Sequence, residues 1–171
     1  YDEGRYQQAI DRLTAVAYEY PATVEGGAAV HLVLDSYKTL NDYLGLITAG
    51  RRFIGGTSPV DPKIKGEIEP IVVAAEQHQL DELSLMAAGS DGGDVSSELQ
   101  SFAAQYQGTE LGERALLNAF VAARAEGDSE SLSRLADEIE KAYAKSSQLP
   151  GIMSTLARTS AARFELDDAI E

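Results

Sequence analysis

The chain has 171 residues, of which 44% are hydrophobic and 25% are charged, a composition typical of a folded protein that excludes global disorder. A formal net charge of −14 disfavours binding to nucleic acid and to anionic membrane surfaces, because both carry negative charge. The chain contains no cysteine, which excludes disulfides and thiolate metal sites, and no apolar run approaches the ~20 residues that span a bilayer.

The hydrophobic pattern predicts helices throughout the chain, about nine to eleven in all. Proline and glycine mark most of the expected ends, as at Pro21 and Gly127. Pro70 favours two short helices over one kinked helix in its region. The helices are expected at about 4–20, 24–41, 43–54, 62–68, 69–78, 81–88, 96–106, 110–126, 129–145, 149–164 and 167–171.

Internal periodicity is the main signal in the sequence. Counted from Ala9, matching positions recur at steps of 37, 37, 48 and 38 residues. They are Leu46, Leu83, Ser131 and Ala169. A second register agrees, because Tyr20 is followed by Thr23 and Ala29 at the same intervals at which Tyr106 is followed by Thr109 and Ala115. The long step coincides with the glycine- and aspartate-rich stretch 88–94, where an insertion in the third repeat is expected.

Five residues at the start of the chain match the pattern of one repeat family: Gly4, Tyr6, Ala9, Leu13 and Pro21. They fall where a tetratricopeptide repeat has its turn, its second helix and its closing proline, and the chain resembles such an array. The segment Tyr20-Pro21-Ala22-Thr23 is similar to the repeat ending of a bacterial cell-envelope subset, which includes outer-membrane assembly lipoproteins.

The resemblance implies an all-α, right-handed solenoid of antiparallel helical hairpins with an irregular third repeat. The expected repeats are 1–22 (partial), 23–57, 61–108, 109–147 and 149–171 (partial), in one array that is a fragment of a longer one. The residues expected to pack the repeats together are Tyr6, Ala9, Pro21, Ala29, Tyr43, Leu46, Leu83, Ala115, Ala119, Leu132 and Ala169.

Arrays of this family bind peptides or proteins in a concave groove and are not enzymes. The resemblance therefore implies a non-catalytic interaction scaffold in a bacterial envelope assembly, in the periplasm or at the outer membrane, with the cytoplasm as the alternative. The alternative function is a structural spacer that self-associates or positions further domains of a longer chain. A helical enzyme or metal-dependent module is disfavoured, because no ordered set of nucleophile, base and electrophile is recognisable.

Candidate contact residues come from the tyrosines and from the uneven charge. Tyr18 lies off the core stripe, and Tyr37 offers amphipathic contact area. Arg51 and Arg52, with Lys63 and Lys65, form the basic spot of the chain, and Arg51 and Arg52 are its candidate contacts. Residues 81–171 hold seven basic and seventeen acidic residues, against seven and eleven in 1–80. Glu130 and Asp137 are therefore candidate contacts for a basic partner, although the alternative is a solvated helix face.

Metal and cofactor sites are not expected. His31 and His78 lack a metal-ligand spacing. The acidic loop from Ser90 to Asp94 invites a calcium interpretation, but it does not have the EF-hand spacing and is interpreted as a flexible loop.

Overall fold

The computed structural model describes residues 3–89 and 93–168, and all the regular structure in these ranges is helical. This confirms the predicted all-α class. The helices are α1 (Glu3–Glu19), α2 (Val24–Thr39), α3 (Tyr43–Ile54), α4 (Pro62–Ala88), α5 (Gly93–Gln105), α6 (Glu110–Glu126), α7 (Ser129–Ala142) and α8 (Leu149–Asp168). They belong to two compact units, unit 1 (Tyr1–Gln79) and unit 2 (Leu80–Glu171), and the boundary falls within α4.

Unit 1 is built by successive packing of α1 on α2 and of α2 on α3. The first part of α4 adds Ile68 and Ala75 to the same core. Glycines allow this close approach, since a Cβ on Gly50 of α3 would collide with Val72 of α4. Other buried members of the core are Ile10, Ala17, Ala29, Val30, Val33, Leu34, Leu46, Ile47, Phe53 and Val60.

Unit 2 repeats the arrangement, with α5 on α6, α6 on α7 and α7 on α8. The last part of α4 is tied to α6 by two polar contacts. Arg114 donates to Asp81 at 3.1 Å, and the Asn118 amide donates to the Ser84 hydroxyl at 2.6 Å. The buried core residues include Leu80, Leu83, Leu99, Phe102, Ala103, Ala115, Ala119, Phe120, Leu132, Leu135, Ala136, Ile139 and Ile152.

The turn that joins α1 to α2 has the same construction as the turn that joins α5 to α6, as the second sequence register predicts. Thr23 and Thr109 are the N-caps of α2 and α6, with φ and ψ of −103° and 161° in one and −104° and 163° in the other. The Thr23 hydroxyl donates to the carbonyl of Tyr20 at 2.9 Å and accepts from the amide of Gly26 at 3.0 Å. Each Thr hydroxyl therefore joins the end of one helix to the first turn of the next.

The second copy of this turn has the same partners, each 86 residues further along the chain. Thr109 donates to the carbonyl of Tyr106 at 2.6 Å and accepts from the amide of Gly112 at 3.2 Å. Ala29 and Ala115, nine residues after the tyrosines, are both buried in the helices that follow. The repeated spacing therefore corresponds to a repeated local structure.

The next turn is also shared by the two units. Asn41 and Gly127 both have positive φ, 56° and 74°, and each precedes an aspartate that caps the following helix, Asp42 or Asp128. Counted from these caps, Leu46 of α3 corresponds to Leu132 of α7, and both are buried. The structural match is thus one residue later than Ser131, the position that the first register predicts.

The expected break at Pro70 is wrong, because α4 runs without interruption from Pro62 to Ala88. It also continues across 79–80, where a second break is expected from the sequence. Pro70 lies on the exposed side of α4, between the buried Ile68 and Val72. The burial of these neighbours stabilises the continuous helix more than the missing amide of proline weakens it.

Three further helix ends differ from the sequence prediction. Helix α7 ends at Ala142 rather than near Lys145, α8 continues through 164–167 to Asp168, and α5 begins at Gly93, before Ser96. A break between α4 and α5 does occur in the expected stretch 88–94, but residues 90–92 lie outside the described part. So does Ala169, one of the expected packing residues.

Within the described ranges, every helix falls short of the length and apolar character that crossing a bilayer demands.

Candidate functional site

The first three helices of unit 1 enclose a cleft with a volume of about 280 Å³. Buried Ile10 and Phe53 form its floor, and polar side chains stand along its edges. Two of the predicted contact residues, Tyr37 and Arg52, line this cleft although they lie on different helices. The complete lining is Ile10, Asp11, Thr14, Tyr37, Thr48, Ala49, Arg52 and Phe53.

One end of the cleft is formed by Tyr37 and Asp11. The Tyr37 ring lies against Gly45 at the start of α3, where a Cβ would collide with the ring. Burial raises the pKa of the Tyr37 hydroxyl, and the negative charges of Asp42 and Asp11 raise this pKa further. The Asp11 carboxylate accepts a hydrogen bond from the Gln7 amide at 3.1 Å. This end therefore combines a protonated phenol with negative charge.

The other end of the cleft is formed by Arg52, which contacts Tyr18 outside the lining. The Arg52 guanidinium carbon lies 5.2 Å from the centre of the Tyr18 ring, within the range of a cation–π interaction. The Tyr18 ring in turn packs on Phe53, with 5.7 Å between ring centres and a tilt of 39°. The predicted contact residues Tyr18 and Arg52 therefore form one stacked pair, supported from beneath by the core.

Arg51 is directed away from this cleft, toward α4. Its Nε donates to Glu76 Oε1 at 2.5 Å and its Nη2 donates to Oε2 at 2.7 Å. Glu76 is only 1% exposed, whereas the Arg51 side chain is 42% exposed. The bidentate pair supplies the positive charge that a buried carboxylate requires. A contact role for Arg51 stays a prediction, but its guanidinium already pairs with Glu76 within unit 1.

The other basic residues near this site are also engaged within unit 1. Lys65 donates to the backbone carbonyls of Gly55 at 3.1 Å and Ser58 at 2.9 Å, which holds the loop before α4. Lys63 lies 3.8 Å from Glu67, one turn along α4. The basic spot of the sequence is thus divided, and Arg52 is its member at the cleft.

The predicted acidic contacts Glu130 and Asp137 both lie on the exposed face of α7. They line an open depression of about 680 Å³. Basic side chains alternate with the acidic ones at intervals of four residues, as in Glu130–Arg134 and Asp137–Lys141, which lets opposite charges approach along the helix. The lining residues are Gln107, Glu130, Ser133, Arg134, Asp137, Glu138, Lys141 and Ala142. The face therefore presents both signs of charge to solvent.

The two histidines contact different residues of unit 1. His31 Nε2 lies 3.3 Å from Glu67, and the His78 ring stacks on Tyr43 with 3.9 Å between ring centres and 12° between planes. In 3–89 and 93–168, no three His, Cys, Asp or Glu side chains are grouped so that they could hold a metal ion. The acidic loop that invites a calcium interpretation includes residues 90–92, outside these ranges.

Sequence reasoning missed two charged residues that shape this region, Asp11 and Glu76. Asp11 is an exposed charge on an amphipathic helix, and nothing in the sequence relates it to Tyr37 or Arg52. Glu76 had a weak signal, because it directly follows Ala74-Ala75 in a stretch rich in apolar residues.

Comparisons of the chain with protein-family models, with curated proteins and with solved structures gave no match.

Proposed function

We propose that this chain is a non-catalytic scaffold for protein–protein interaction, which binds a peptide or protein partner at the cleft between α1, α2 and α3. The supporting observation is that Tyr37 and Arg52 line one cleft together with the buried Ile10 and Phe53, and that Tyr18 stacks on Arg52. Tyrosine and arginine carry much of the binding energy in protein interfaces. A cleft of about 280 Å³ suits one or two side chains of a partner.

The architecture that we propose for this scaffold is a tetratricopeptide-like helical repeat. The two copies of the Tyr-x-x-Thr-x-x-Gly turn, which join α1 to α2 and α5 to α6, support internal repetition. Assignment to a bacterial envelope assembly depends on the resemblance of the segment from Tyr20 to Thr23. Fractionation of the source cells, followed by detection of the full-length protein, tests the compartment.

Affinity capture from native lysate tests the scaffold proposal, with the full-length protein as bait. The cleft variant carries Asp11→Lys and Arg52→Glu, which reverses both charged side chains without changing the net charge. Its matched control carries Arg12→Glu and Asp35→Lys, two exposed positions of α1 and α2 outside the cleft lining. Arg51 is left unchanged in all baits, because Glu76 needs it.

We expect a partner that is captured by the wild-type and control baits and is lost from the cleft variant. A partner that the cleft variant retains would contradict the assignment of this cleft. Recovery of the protein itself alone, with all three baits, would contradict the scaffold proposal and favour a self-assembling spacer.

A further inference from the structure

We infer that the cleft between α1, α2 and α3 selects a partner segment in which an apolar side chain lies between a basic residue and an acidic residue. The inference rests on the proposed function, because it names the chemistry of the segment that the scaffold would bind. It is carried by the opposite charges at the two ends of the cleft and by the apolar floor between them.

The two charged ends are separated along α1. Asp11 precedes Tyr18 by seven residues in this helix, a rise of about 10 Å. Arg52 of α3 lies over the Tyr18 ring, so its positive charge lies toward the C-terminal end of α1. Asp11 lies at the other end with Tyr37, which comes from the last turn of α2. A bound segment would therefore meet a negative and a positive end about two helical turns apart.

The negative end suits a cation. Asp11 lines this end of the cleft, and Asp42, outside the lining, is close enough to Tyr37 for its charge to act on the hydroxyl as well. A lysine or arginine of the partner would be attracted by both carboxylates. The excess of acidic over basic residues in the whole chain strengthens the same preference.

The positive end suits a carboxylate. The contact between Arg52 and the Tyr18 ring is a cation–π interaction that does not require a hydrogen bond from a guanidinium N–H, so it leaves these donors for a ligand. The ring restricts the position of the guanidinium, which reduces the entropy lost when a carboxylate binds.

The middle of the cleft suits an apolar side chain. Ile10 and Phe53 are 2% and 1% exposed, and Ala49 completes the floor between the charged ends. An extended peptide advances about 3.3 Å per residue, so about 10 Å corresponds to three residues. The basic and acidic residues of the segment are therefore expected two to four positions apart, with a leucine, methionine or aromatic residue between them.

Selection from a library of displayed random 12-residue peptides against the full-length protein tests this inference. Selected peptides are then measured by fluorescence anisotropy against the wild-type protein and against the cleft variants Asp11→Asn and Arg52→Gln. Arg12→Gln and Asp35→Asn are the matched controls, since each removes one charge of the same sign from an exposed position outside the cleft lining.

We expect the enriched peptides to contain the basic–apolar–acidic order. Asp11→Asn should weaken binding about three- to fivefold, and replacing the basic residue of the peptide by glutamine should then cause a smaller loss than it does with the wild-type protein. Arg52→Gln should behave in the same way toward the acidic residue of the peptide, while both controls bind as the wild type does.

Enriched peptides that lack this order, or that bind both cleft variants with wild-type affinity, would overturn the inference and leave the scaffold proposal standing. A library that yields no binder would also overturn it, and a partner from lysate could then still support the scaffold proposal through another surface.

Discussion

The close approach of backbone to backbone in the two shared turns leads to a quantitative prediction for Gly26 and Gly112. A Cβ on Gly26 would collide with the carbonyl oxygen of Tyr20, and one on Gly112 would collide with that of Tyr106. At Gly112 the added carbon would also lie 2.6 Å from the Tyr143 hydroxyl. Since the colliding atoms belong to the backbone, an alanine at either position must displace the turn.

The size of the effect follows from three contributions. Forcing an extra carbon into a packed site costs about 1–3 kcal/mol, and a displaced turn weakens the threonine cap by about 1 kcal/mol. The higher helix propensity of alanine returns about 0.5–1 kcal/mol. Gly26→Ala in unit 1 and Gly112→Ala in unit 2 should therefore each lower the free energy of unfolding by about 1–3.5 kcal/mol.

Gly66→Ala is the control for these variants. Gly66 lies inside α4, and nothing lies within 4 Å of the position that its Cβ would occupy. The same chemical change should there raise the free energy of unfolding by about 0.5–1 kcal/mol. Urea denaturation followed by far-ultraviolet circular dichroism measures all three variants. The reasoning is refuted if Gly26→Ala and Gly112→Ala match the wild type, or if Gly66→Ala is as damaging as they are.

Three further predictions concern single charged or titratable groups. Arg51→Ala should lower the free energy of unfolding by about 2–3 kcal/mol because it leaves Glu76 buried and unpaired, whereas replacing both residues by methionine should cost less; urea denaturation compares them. Hydrogen bonds from the side chain and backbone of Ser131 lower the pKa of Asp128, so its stabilisation is present above about pH 4 and is lost as the pH falls through the folded-state pKa. Thermal melts in acid should therefore show a smaller loss of stability in Asp128→Asn than in the wild type. Burial raises the pKa of Tyr37, so its contribution is present below the unfolded pKa of about 10 and is lost as the pH rises above it; alkaline melts should show a smaller loss in Tyr37→Phe.

The ends of several helices could be predicted because their signals are local. Thr23 and Thr109 accept from an amide three residues ahead, and Asp42 does the same in α3. Such caps join residues within one turn, so the side chain and its target are adjacent in sequence. The repeated spacing of Tyr20–Thr23 and Tyr106–Thr109 was visible for the same reason.

The course of α4 could not be predicted in this way. Pro70 is a local helix-breaking signal, and by itself it favours two helices. Continuity of α4 depends on the burial of Ile68 and Val72 against residues that are distant in sequence, such as Gly50. A local penalty and a distant gain cannot be compared before the partners of the helix are known.

The candidate site, too, could be predicted from the sequence only in part. The residue types at Tyr18, Tyr37 and Arg52 marked them as contact residues, and the structure brings them together around one cleft. Nothing in the sequence distinguished Arg52 from Arg51, although adjacent residues on a helix point about 100° apart and so reach different surroundings. Their different environments arise from the helices on either side, α1 beside Arg52 and α4 beside Arg51.

The sequence by itself thus determined the all-helical class, most helix boundaries and the repeated spacing of Tyr, Thr and Ala that marks the two copies of the turn. All of these depend on interactions between residues that are a few positions apart. Only the tertiary structure decided the continuity of α4, the pairing of Arg51 with Glu76 and the opposite charges of Asp11 and Arg52 at one cleft. These features join side chains from different helices, and their energies depend on burial, which exists only once the helices have packed.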